Sequence, residues 1–274
     1  MELLRPSELA DLPAGLVIAG GTEVVPQLRD GILTADTLVD VRHVVPKGID
    51  GTRIGAGTTL AELESSTEIP DALREACRLS ASPQLRASGT IGGNLLQSTR
   101  CWYWRLKFPC RLHGGDRCHA REGEHREHAF FANDFCASAH PSDPAAALLA
   151  LNATVRTSTR ELPLSDFYRL PTEDDRSTTT LRPGELILEL DVQQPDASIY
   201  LKAMDRRRWA FALVGVAAAR FGDETRVALA GAAPIPWLLD SLDDATPLPG
   251  TEYKVRIAEA LVRRARQAIA AQER

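Results

Sequence analysis

The sequence contains no apolar run that approaches the roughly 20 residues a membrane helix needs, so we predict no membrane span. Residues 1–6 lack the basic start and the long apolar stretch of a secretory signal peptide. Both absences predict a cytoplasmic protein. A periplasmic location stays open only if a partner subunit carries the export signal. Internal repeats and low-complexity tracts are also absent.

Several common catalytic motifs are missing as well. There is no G-x-G-x-x-G turn of a Rossmann dinucleotide site, no G-x-S-x-G nucleophile elbow and no H-E-x-x-H metal pair. No residue stands out as a general acid or base, which favours a relay over a bond-making site. The net charge of −5 gives no reason to expect a nucleic acid or an anionic membrane as partner.

The chain does have the composition of a globular protein, with 44% hydrophobic and 25% charged residues among 274. That length suffices for one large or two modest domains with a core that needs no disulfides. Hydrophobic periodicity predicts strands and helices in alternation. The predicted strands are 16–19, 37–40, 52–56, 153–157, 185–192, 198–204, 213–221 and 226–232. The predicted helices are 60–63, 71–77, 145–150 and 254–271.

Two further segments differ from this pattern. Residues 170–184 are polar and contain prolines and a glycine, which predicts a domain boundary there. The strands that follow predict a small antiparallel C-terminal sheet with helices on one face. Residues 98–140 show little periodicity and are rich in Arg, His, Cys and aromatic residues. An irregular segment of that length inside a compact domain is usually functional or disordered, and its cysteines favour a function.

Two glycine turns predict an anion site. In residues 17–26 a predicted strand ends in Gly20-Gly21, and residues 90–94 contain Gly92-Gly93 between a threonine and an asparagine. Glycine lets backbone N–H groups approach an anion closely, and a helix N-terminus would add its dipole. Each turn alone is more often an ordinary tight turn, but together they could hold one pyrophosphate from two sides.

Four cysteines, Cys101, Cys110, Cys118 and Cys136, fall in the irregular segment with the spacing C-x8-C-x7-C-x17-C. In a cytoplasmic chain such a cluster indicates ligands rather than disulfides. The spacing lacks the C-x2-C pairs of structural zinc sites and matches neither standard ferredoxin pattern. A [4Fe–4S] cluster, a mixed Cys/His zinc site and four free thiols all stay open at this point. Cys77 lies on a predicted helix face and is interpreted as a core residue.

Several segments resemble a known family. Residues 18–23, 81–95, 140–143, 200–206 and 209–214 are similar to the FAD-binding medium subunit of molybdenum hydroxylases, the group of xanthine dehydrogenase, aldehyde oxidase and carbon monoxide dehydrogenase. The resemblance implies an α+β fold. A two-lobed FAD-binding domain of the vanillyl-alcohol-oxidase or PCMH type would occupy residues 1–170. A linker at 171–184 would lead to a small α+β domain at 185–274, like that of carbon monoxide dehydrogenase flavoproteins.

The resemblance also implies cofactor-binding residues. The first glycine turn would wrap the FAD pyrophosphate with Ile18, Ala19, Gly20, Gly21, Thr22, Glu23, Val24, Val25 and Pro26. The second would contribute Thr90, Gly92, Gly93, Asn94 and, just beyond it, Gln97. Asp143 would bind towards the ribityl or ribose part, with Leu186 and Lys202 near the flavin. A lysine there would stabilise reduced, anionic flavin by its positive charge.

The segment at about 98–140 interrupts the family pattern between the second glycine turn and Asp143. It is similar to the subset that contains 4-hydroxybenzoyl-CoA reductase and a bacterial aldehyde oxidoreductase. By that likeness the motif Gln97-x-x-Arg100-Cys101, with Cys110, Cys118 and Cys136, would supply the ligands of an extra [4Fe–4S] cluster. Whether the fourth ligand is Cys136 or His119 stays open. Glu23 stands where Asp or Asn is common, and Ser98 stands where Arg is common.

The family implies an electron-transfer role without catalytic residues on this chain. A large partner subunit would hold molybdopterin, a small one would hold two [2Fe–2S] clusters, and electrons would pass to FAD here and then to an external acceptor. A self-sufficient flavoprotein oxidase or dehydrogenase with a zinc-stabilised loop is the alternative. A non-enzymatic metal-loop module would leave both glycine turns unexplained. The organic substrate, the direction of the reaction, the acceptor and the higher-order oligomeric state are not indicated by the sequence.

Overall fold

The computed structural model describes residues 1–206 and 210–272. Its strands are β1 Glu2–Leu4, β2 Leu16–Ile18, β3 Thr37–Asp40, β4 Ile49–Asp50, β5 Arg53–Gly55, β6 Thr154–Thr157, β7 Glu161–Pro163, β8 Ile187–Asp191, β9 Ala197–Ala203, β10 Val214–Phe221, β11 Glu224–Ala230 and β12 Trp237–Leu238. Its α-helices are α1 Val24–Arg29, α2 Leu60–Ser65, α3 Asp71–Leu79, α4 Pro83–Ser88, α5 Ile91–Leu95, α6 Trp102–Arg105, α7 His119–Glu122, α8 Asp143–Ala150, α9 Leu164–Phe167 and α10 Glu252–Ala271.

Each strand and helix predicted from periodicity has a counterpart within a few residues, and the helix starts follow from local chemistry. Thr59 and Glu62 form a reciprocal capping box that satisfies free N–H groups at the start of α2. Ser142 accepts a hydrogen bond from the Ala145 N–H, and Pro144 occupies the first turn of α8, where its missing N–H costs nothing.

The first sheet is parallel, with strand order β1-β3-β2. Its buried residues Val39 and Val41 pack with Leu186 from the start of β8. Because β2 and β3 are parallel, their carboxyl ends meet at one edge. The Gly20-Gly21 turn leaves from that edge, which is where open parallel sheets bind ligands.

The second sheet is antiparallel, with strand order β4-β5-β8-β6-β7. The prediction that the strand at 185–192 belongs to the C-terminal sheet is wrong, because β8 pairs with β5 and β6 in this sheet. The reason is that Leu190 lies opposite both Ile54 and Val155 and buries its side chain with theirs. Residues 171–184 therefore connect two parts of one sheet, and we propose moving the domain boundary to about 192–196.

The third sheet is antiparallel, with order β12-β11-β10-β9. One face of β10 packs Val214, Val216 and Ala218 against α10, as expected for a sheet with its own helix. The other face carries Ala217 and Ala219 and is covered by α3 and α8. The third sheet is thus joined to the preceding part by a continuous core. Trp209, within one of the segments that carry the family resemblance, lies outside the described residues.

The irregular segment at 98–140 contains only short elements, namely α6, a 3₁₀ turn at Arg111–His113 and α7. It is nevertheless packed. Phe130 and Phe131 are buried in the core between α10 and the third sheet, and both of their N–H groups bond to the carbonyl of Ala232. Of the helices in the described residues, none is long and apolar enough to cross a membrane.

Candidate functional site

A cavity of ≈ 510 Å³ lies where the three sheets meet. Its lining includes residues from β2, the start of β8, β9 and the start of α8, as well as both glycine turns. Most of the residues predicted to bind the cofactor line it, namely Ala19, Gly20, Gly21, Thr22, Glu23, Val24, Thr90, Gly92, Gly93, Asn94, Gln97, Asp143, Leu186 and Lys202.

Three predicted cofactor residues do not line this cavity. Ile18 is the last residue of β2 and pairs with Asp40 of β3. Val25 and Pro26 lie in the first turn of α1, and the Val25 side chain is half exposed. Several residues that the sequence analysis missed do line it, among them Arg42, Lys47, Ser88 and Phe211. Arg42 lies two residues after β3, at the carboxyl edge of a parallel strand, a position from which it could have been predicted.

The first glycine turn touches the end of α4, just before the second glycine pair, and glycine is required for that contact. A Cβ atom on Gly20 would lie 1.9 Å from the carbonyl oxygen of Ser88, so no residue with a side chain fits there. The second glycine pair does not form the predicted turn, because Gly92 and Gly93 lie in helix α5, which Thr90 caps. Gly21 has φ +72°, a left-handed conformation that side chains rarely adopt. Gly92 donates its N–H to the Ala56 carbonyl at 2.9 Å, and a Cβ there would meet the Ala56 side chain at 2.9 Å. Together the glycines create a cradle of bare backbone.

Glu23 ties the first glycine turn to the start of the cysteine segment. Its Oε1 accepts hydrogen bonds from Arg105 Nη2 and Gln27 Nε2 at 2.6 Å each, and its Oε2 lies 2.6 Å from Arg100 Nη2 in an ion pair. Arg100 also donates to Gln97 Oε1 at 2.8 Å and lies 4.9 Å from the ring centre of Phe211. Burial lowers the pKa of Arg100, and Glu23 opposes that effect.

Arg100 provides the observation that best tests whether FAD fits the cavity. Its Nε is buried and has no hydrogen-bond partner in the part of the chain that the structure describes. A buried donor without a partner is costly, and Arg100 lines the cavity. An acceptor oxygen of a bound cofactor would satisfy it, so the site's chemistry fits FAD.

Asp143 and Lys202 form a buried ion pair at the cavity wall. Lys202 Nζ lies 2.7 Å from Asp143 Oδ2, with side chains only 1% and 3% exposed respectively. Tyr200 donates its hydroxyl to Asp143 Oδ1 at 2.5 Å, and Ser80 Oγ lies 3.3 Å from Oδ2. Burial and the neighbouring carboxylate raise the pKa of Tyr200. The expected stabilisation of reduced flavin by the positive charge of Lys202 stays a prediction; Asp143 lies beside the ammonium, so the pair as a whole carries little net charge.

We expect Lys202→Met to lower the free energy of unfolding by about 3 kcal/mol, because it leaves the Asp143 carboxylate buried without its cation. Tyr200 and Ser80 would keep part of that carboxylate satisfied. Urea denaturation of the flavin-free protein measures the change. The double variant Lys202→Met with Asp143→Asn removes both charges, and we expect it to regain at least half of the loss. Equal stability of the wild type and Lys202→Met would contradict the assigned ion pair.

All four clustered cysteines line a second, much smaller cavity, together with Tyr103, Trp104 and His119. Cys110 and Cys136 are buried, and no cysteine is in a disulfide. Among residues 1–206 and 210–272, no group of three or more His, Cys, Asp or Glu side chains is arranged so that it could hold a metal ion. The four cysteines thus line one cavity, but they are not gathered around a single metal ion. Cys77 is fully buried in the main core, as its helix position indicated.

The environment of the cysteines is apolar but not uniform. Burial raises the pKa of Cys101 to about 11. Cys118 and Cys136 influence each other: the neighbouring Cys136 thiol lowers the pKa of Cys118, while the pKa of Cys136 is raised. His128 Nε2 lies 3.2 Å from Cys101 Sγ. The other segment histidines have different roles; His113, for example, stacks on Trp104.

The two cavities adjoin. Arg100 lines the large cavity and Cys101 lines the small one, so a single peptide bond separates their walls. Arg105, four residues beyond Cys101 at the end of α6, reaches back to Glu23 of the first glycine turn. The cysteine segment is therefore anchored directly to the glycine cradle.

Comparison with known proteins agrees with this geometry. Residues 5–195 match the family described as FAD binding domain in molybdopterin dehydrogenase. The chain is 38% identical over 251 residues to the aldehyde oxidoreductase FAD-binding subunit PaoB of Escherichia coli (strain K12), covering 85% of this chain and 79% of that one. It is 26% identical over 222 residues to the nicotinate dehydrogenase FAD-subunit of Eubacterium barkeri, covering 75% and 60%.

Solved structures show the same fold. The Cu,Mo-CO dehydrogenase superposes with a TM-score of 0.69 at 22% identity, covering 99% of this chain and 98% of that one. Quinoline 2-oxidoreductase from Pseudomonas putida 86 gives 0.67 at 17% identity, covering 98% and 96%. The cavity, its glycine cradle and these matches agree: the chain belongs to the family of FAD-binding domains of molybdopterin dehydrogenases, and it is a flavin-binding component of an oxidoreductase.

Proposed function

We propose that this chain is the FAD-binding electron-transfer subunit of a heterotrimeric molybdenum hydroxylase that also holds a [4Fe–4S] cluster. It would take electrons from molybdenum and [2Fe–2S] centres on a molybdopterin-binding large subunit and a small subunit, and deliver them through FAD to an external acceptor. The observation that carries the proposal is the shared wall of the two cavities at Arg100 and Cys101. The relatives' names, which describe FAD subunits of an aldehyde oxidoreductase and of a nicotinate dehydrogenase, support it.

The residues that line the large cavity would hold FAD. The bare backbone at Gly20-Gly21 and Gly92-Gly93 would let its phosphates approach closely, and the Arg100 guanidinium would bond to one of its oxygens through Nε. Asp143 would bind towards the ribityl or ribose part, and Leu186 and Lys202 would lie near the ring system. FAD supplies the ability to exchange electrons in pairs or singly. The protein's part is to exclude water and fix the cofactor's position.

The residues that line the small cavity would hold the cluster through Cys101, Cys110, Cys118 and Cys136. Thiolates are the usual ligands of [4Fe–4S] clusters, which transfer single electrons. Trp102 and Tyr103 follow Cys101 directly and would limit the access of water. A cytoplasmic location stays a prediction, as does the identity of the partner subunits.

Metal analysis and a visible spectrum of anaerobically purified protein test the proposal. We expect iron and acid-labile sulfide in equal amounts, and flavin bands on a broad brown absorbance that both bleach with dithionite. Flavin bands with zinc and no sulfide would overturn the cluster and favour a flavoprotein with a zinc-stabilised loop. Turnover of a small organic substrate by the isolated chain would overturn the assignment as a subunit.

We expect Cys136→Ala to abolish the sulfide content and the brown absorbance while FAD is retained, because three thiolates do not complete the ligand set. Cys77→Ala is the matched control: it removes a buried thiol of the same type outside the segment and should leave iron and sulfide unchanged. Full iron and sulfide in the Cys136 variant would show that another group, such as His119, completes the site.

A further inference from the structure

His128 is a buried imidazole with one unusual neighbour. Its side chain is held edge-on to Trp102, with ring centres 4.7 Å apart at 86°, and only 3% of the residue is exposed. Its Nε2 lies 3.2 Å from Cys101 Sγ, and its Nδ1 is buried without a partner in the described part of the chain. The Cys101 sulfur is therefore the one described group to which this ring hydrogen-bonds.

The chemistry of sulfur decides which ring nitrogen carries the proton. A ligand thiolate has no proton and can only accept a hydrogen bond, so the partner nitrogen must donate. A neutral imidazole has one N–H, which the contact places on Nε2 and leaves Nδ1 as the bare acceptor. This tautomer pairs the ring's one N–H with the sulfur, whereas the other tautomer would leave that N–H buried on Nδ1 without an acceptor among the described residues.

The backbone holds the ring in place independently of the contact with sulfur. The His128 N–H donates to the His125 carbonyl at 2.8 Å. The His128 carbonyl accepts Lys254 Nζ at 2.8 Å, and Lys254 is itself fully buried in α10. The imidazole is thus fixed to the third sheet and its helix, while Cys101 belongs to the wall shared with the large cavity.

We propose that His128 is a positioning residue that donates Nε2–H to the Cys101 sulfur and raises the reduction potential of the cluster. The inference rests on the proposed [4Fe–4S] site. A hydrogen bond to a ligand sulfur withdraws electron density and stabilises the more negative reduced cluster, and such bonds are among the factors that set cluster potentials. The bonded sulfur is that of Cys101, whose neighbour Arg100 lines the large cavity, so the effect falls on the side from which FAD would receive electrons.

A redox titration of the intact full chain, followed by the EPR signal of the reduced cluster, tests this role. We expect His128→Phe, which removes the donor, to make reduction at least tenfold less favourable, a shift of about 59 mV to lower potential. His128→Gln can place an amide N–H near the position of Nε2. Its equilibrium constant for reduction of the cluster should therefore stay within threefold of the wild-type value. A potential for His128→Phe equal to that of the wild type, with iron and sulfide intact, would overturn the inference and leave the proposed function standing.

Two further outcomes are decisive. Absence of sulfide from the wild type would overturn the proposed cluster, and this inference with it. If His128→Phe does not assemble a cluster, pulsed EPR of wild-type protein carrying ¹⁵N-labelled histidine gives the answer. A weak coupling between nitrogen and the reduced cluster in the wild type, lost in His128→Gln, supports the donor role. If the wild type shows no such coupling, the donor role is overturned.

Discussion

Lys254→Met should lower the free energy of unfolding by about 4 kcal/mol. Lys254 is fully buried, and its ammonium donates to three backbone carbonyls, those of Glu127 at 3.1 Å, His128 at 2.8 Å and Gly231 at 2.7 Å. Methionine fills a similar volume but donates nothing, so three buried acceptors lose their partner at about 1–3 kcal/mol each. Relief from burying a charge offsets part of that cost.

The three acceptors favour the charged form of Lys254. Burial lowers the pKa of Lys254 to about 7, but three oxygens directed at one nitrogen favour the ammonium, which has three N–H groups to donate. Two of the carbonyls belong to the cysteine segment and one to the turn after β11. The residue therefore fixes the end of that segment to the C-terminal sheet.

Urea denaturation at neutral pH measures this effect. Arg256→Met is the matched control, since it exchanges a cation for methionine two residues further along α10 at an exposed position. Such a surface change should alter stability by less than about 0.5 kcal/mol. A loss below about 1 kcal/mol in the Lys254 variant would mean that the carbonyls find other partners and that the lysine is not a structural anchor.

Gly20→Ala should reduce FAD affinity about 100-fold, roughly 2.7 kcal/mol. The new Cβ would stand 1.9 Å from the Ser88 carbonyl oxygen, and both atoms belong to backbone that cannot rotate away. The first glycine turn and the end of α4 would have to separate by roughly 1.5 Å to restore van der Waals contact. That separation would open the cradle in which the cofactor's phosphates are expected to lie.

Titration of the flavin-free protein with FAD, followed by quenching of flavin fluorescence, gives the affinity directly. Gly222→Ala is the control, because it also places a methyl group on a glycine, at a turn where nothing lies within 4 Å. Because Gly222 adopts φ +60°, the Gly222→Ala variant should be slightly less stable than the wild type, and its affinity for FAD should be unchanged. Wild-type affinity in the Gly20 variant would show that the cofactor does not depend on the contact between Gly20 and Ser88.

Much of the fold and the candidate site could be predicted because the signals are local. The period of hydrophobic residues placed α3, α8, α10 and the C-terminal strands. The paired glycines marked two segments that line one cavity, although the second pair lies in helix α5 and not in a turn. The partners of β8 could not be predicted this way. A short apolar strand looks the same whichever sheet it joins, and Leu190 pairs with residues far away in sequence.

The pairing of charged and polar side chains in the site could not be predicted from the sequence either. Lys202 and Asp143 are far apart along the chain, and only the packing of α8 against the third sheet brings their charges to 2.7 Å. The same holds for His128 and Cys101, whose contact depends on how an irregular segment folds back on itself. Residue types indicated what could bind, whereas tertiary contacts determined which charges are compensated.

The wall of the large cavity contains residues from Val17 to Phe211, and Lys202 in β9 is among them. During synthesis on the ribosome the cradle therefore cannot be complete until most of the chain has emerged. The strand pairing of the second sheet imposes a similar delay, since β8 must arrive before β5 and β6 are joined. Cofactor loading would accordingly wait until the chain up to Phe211 has emerged, and the glycine segments would stay exposed to the cellular folding machinery until then.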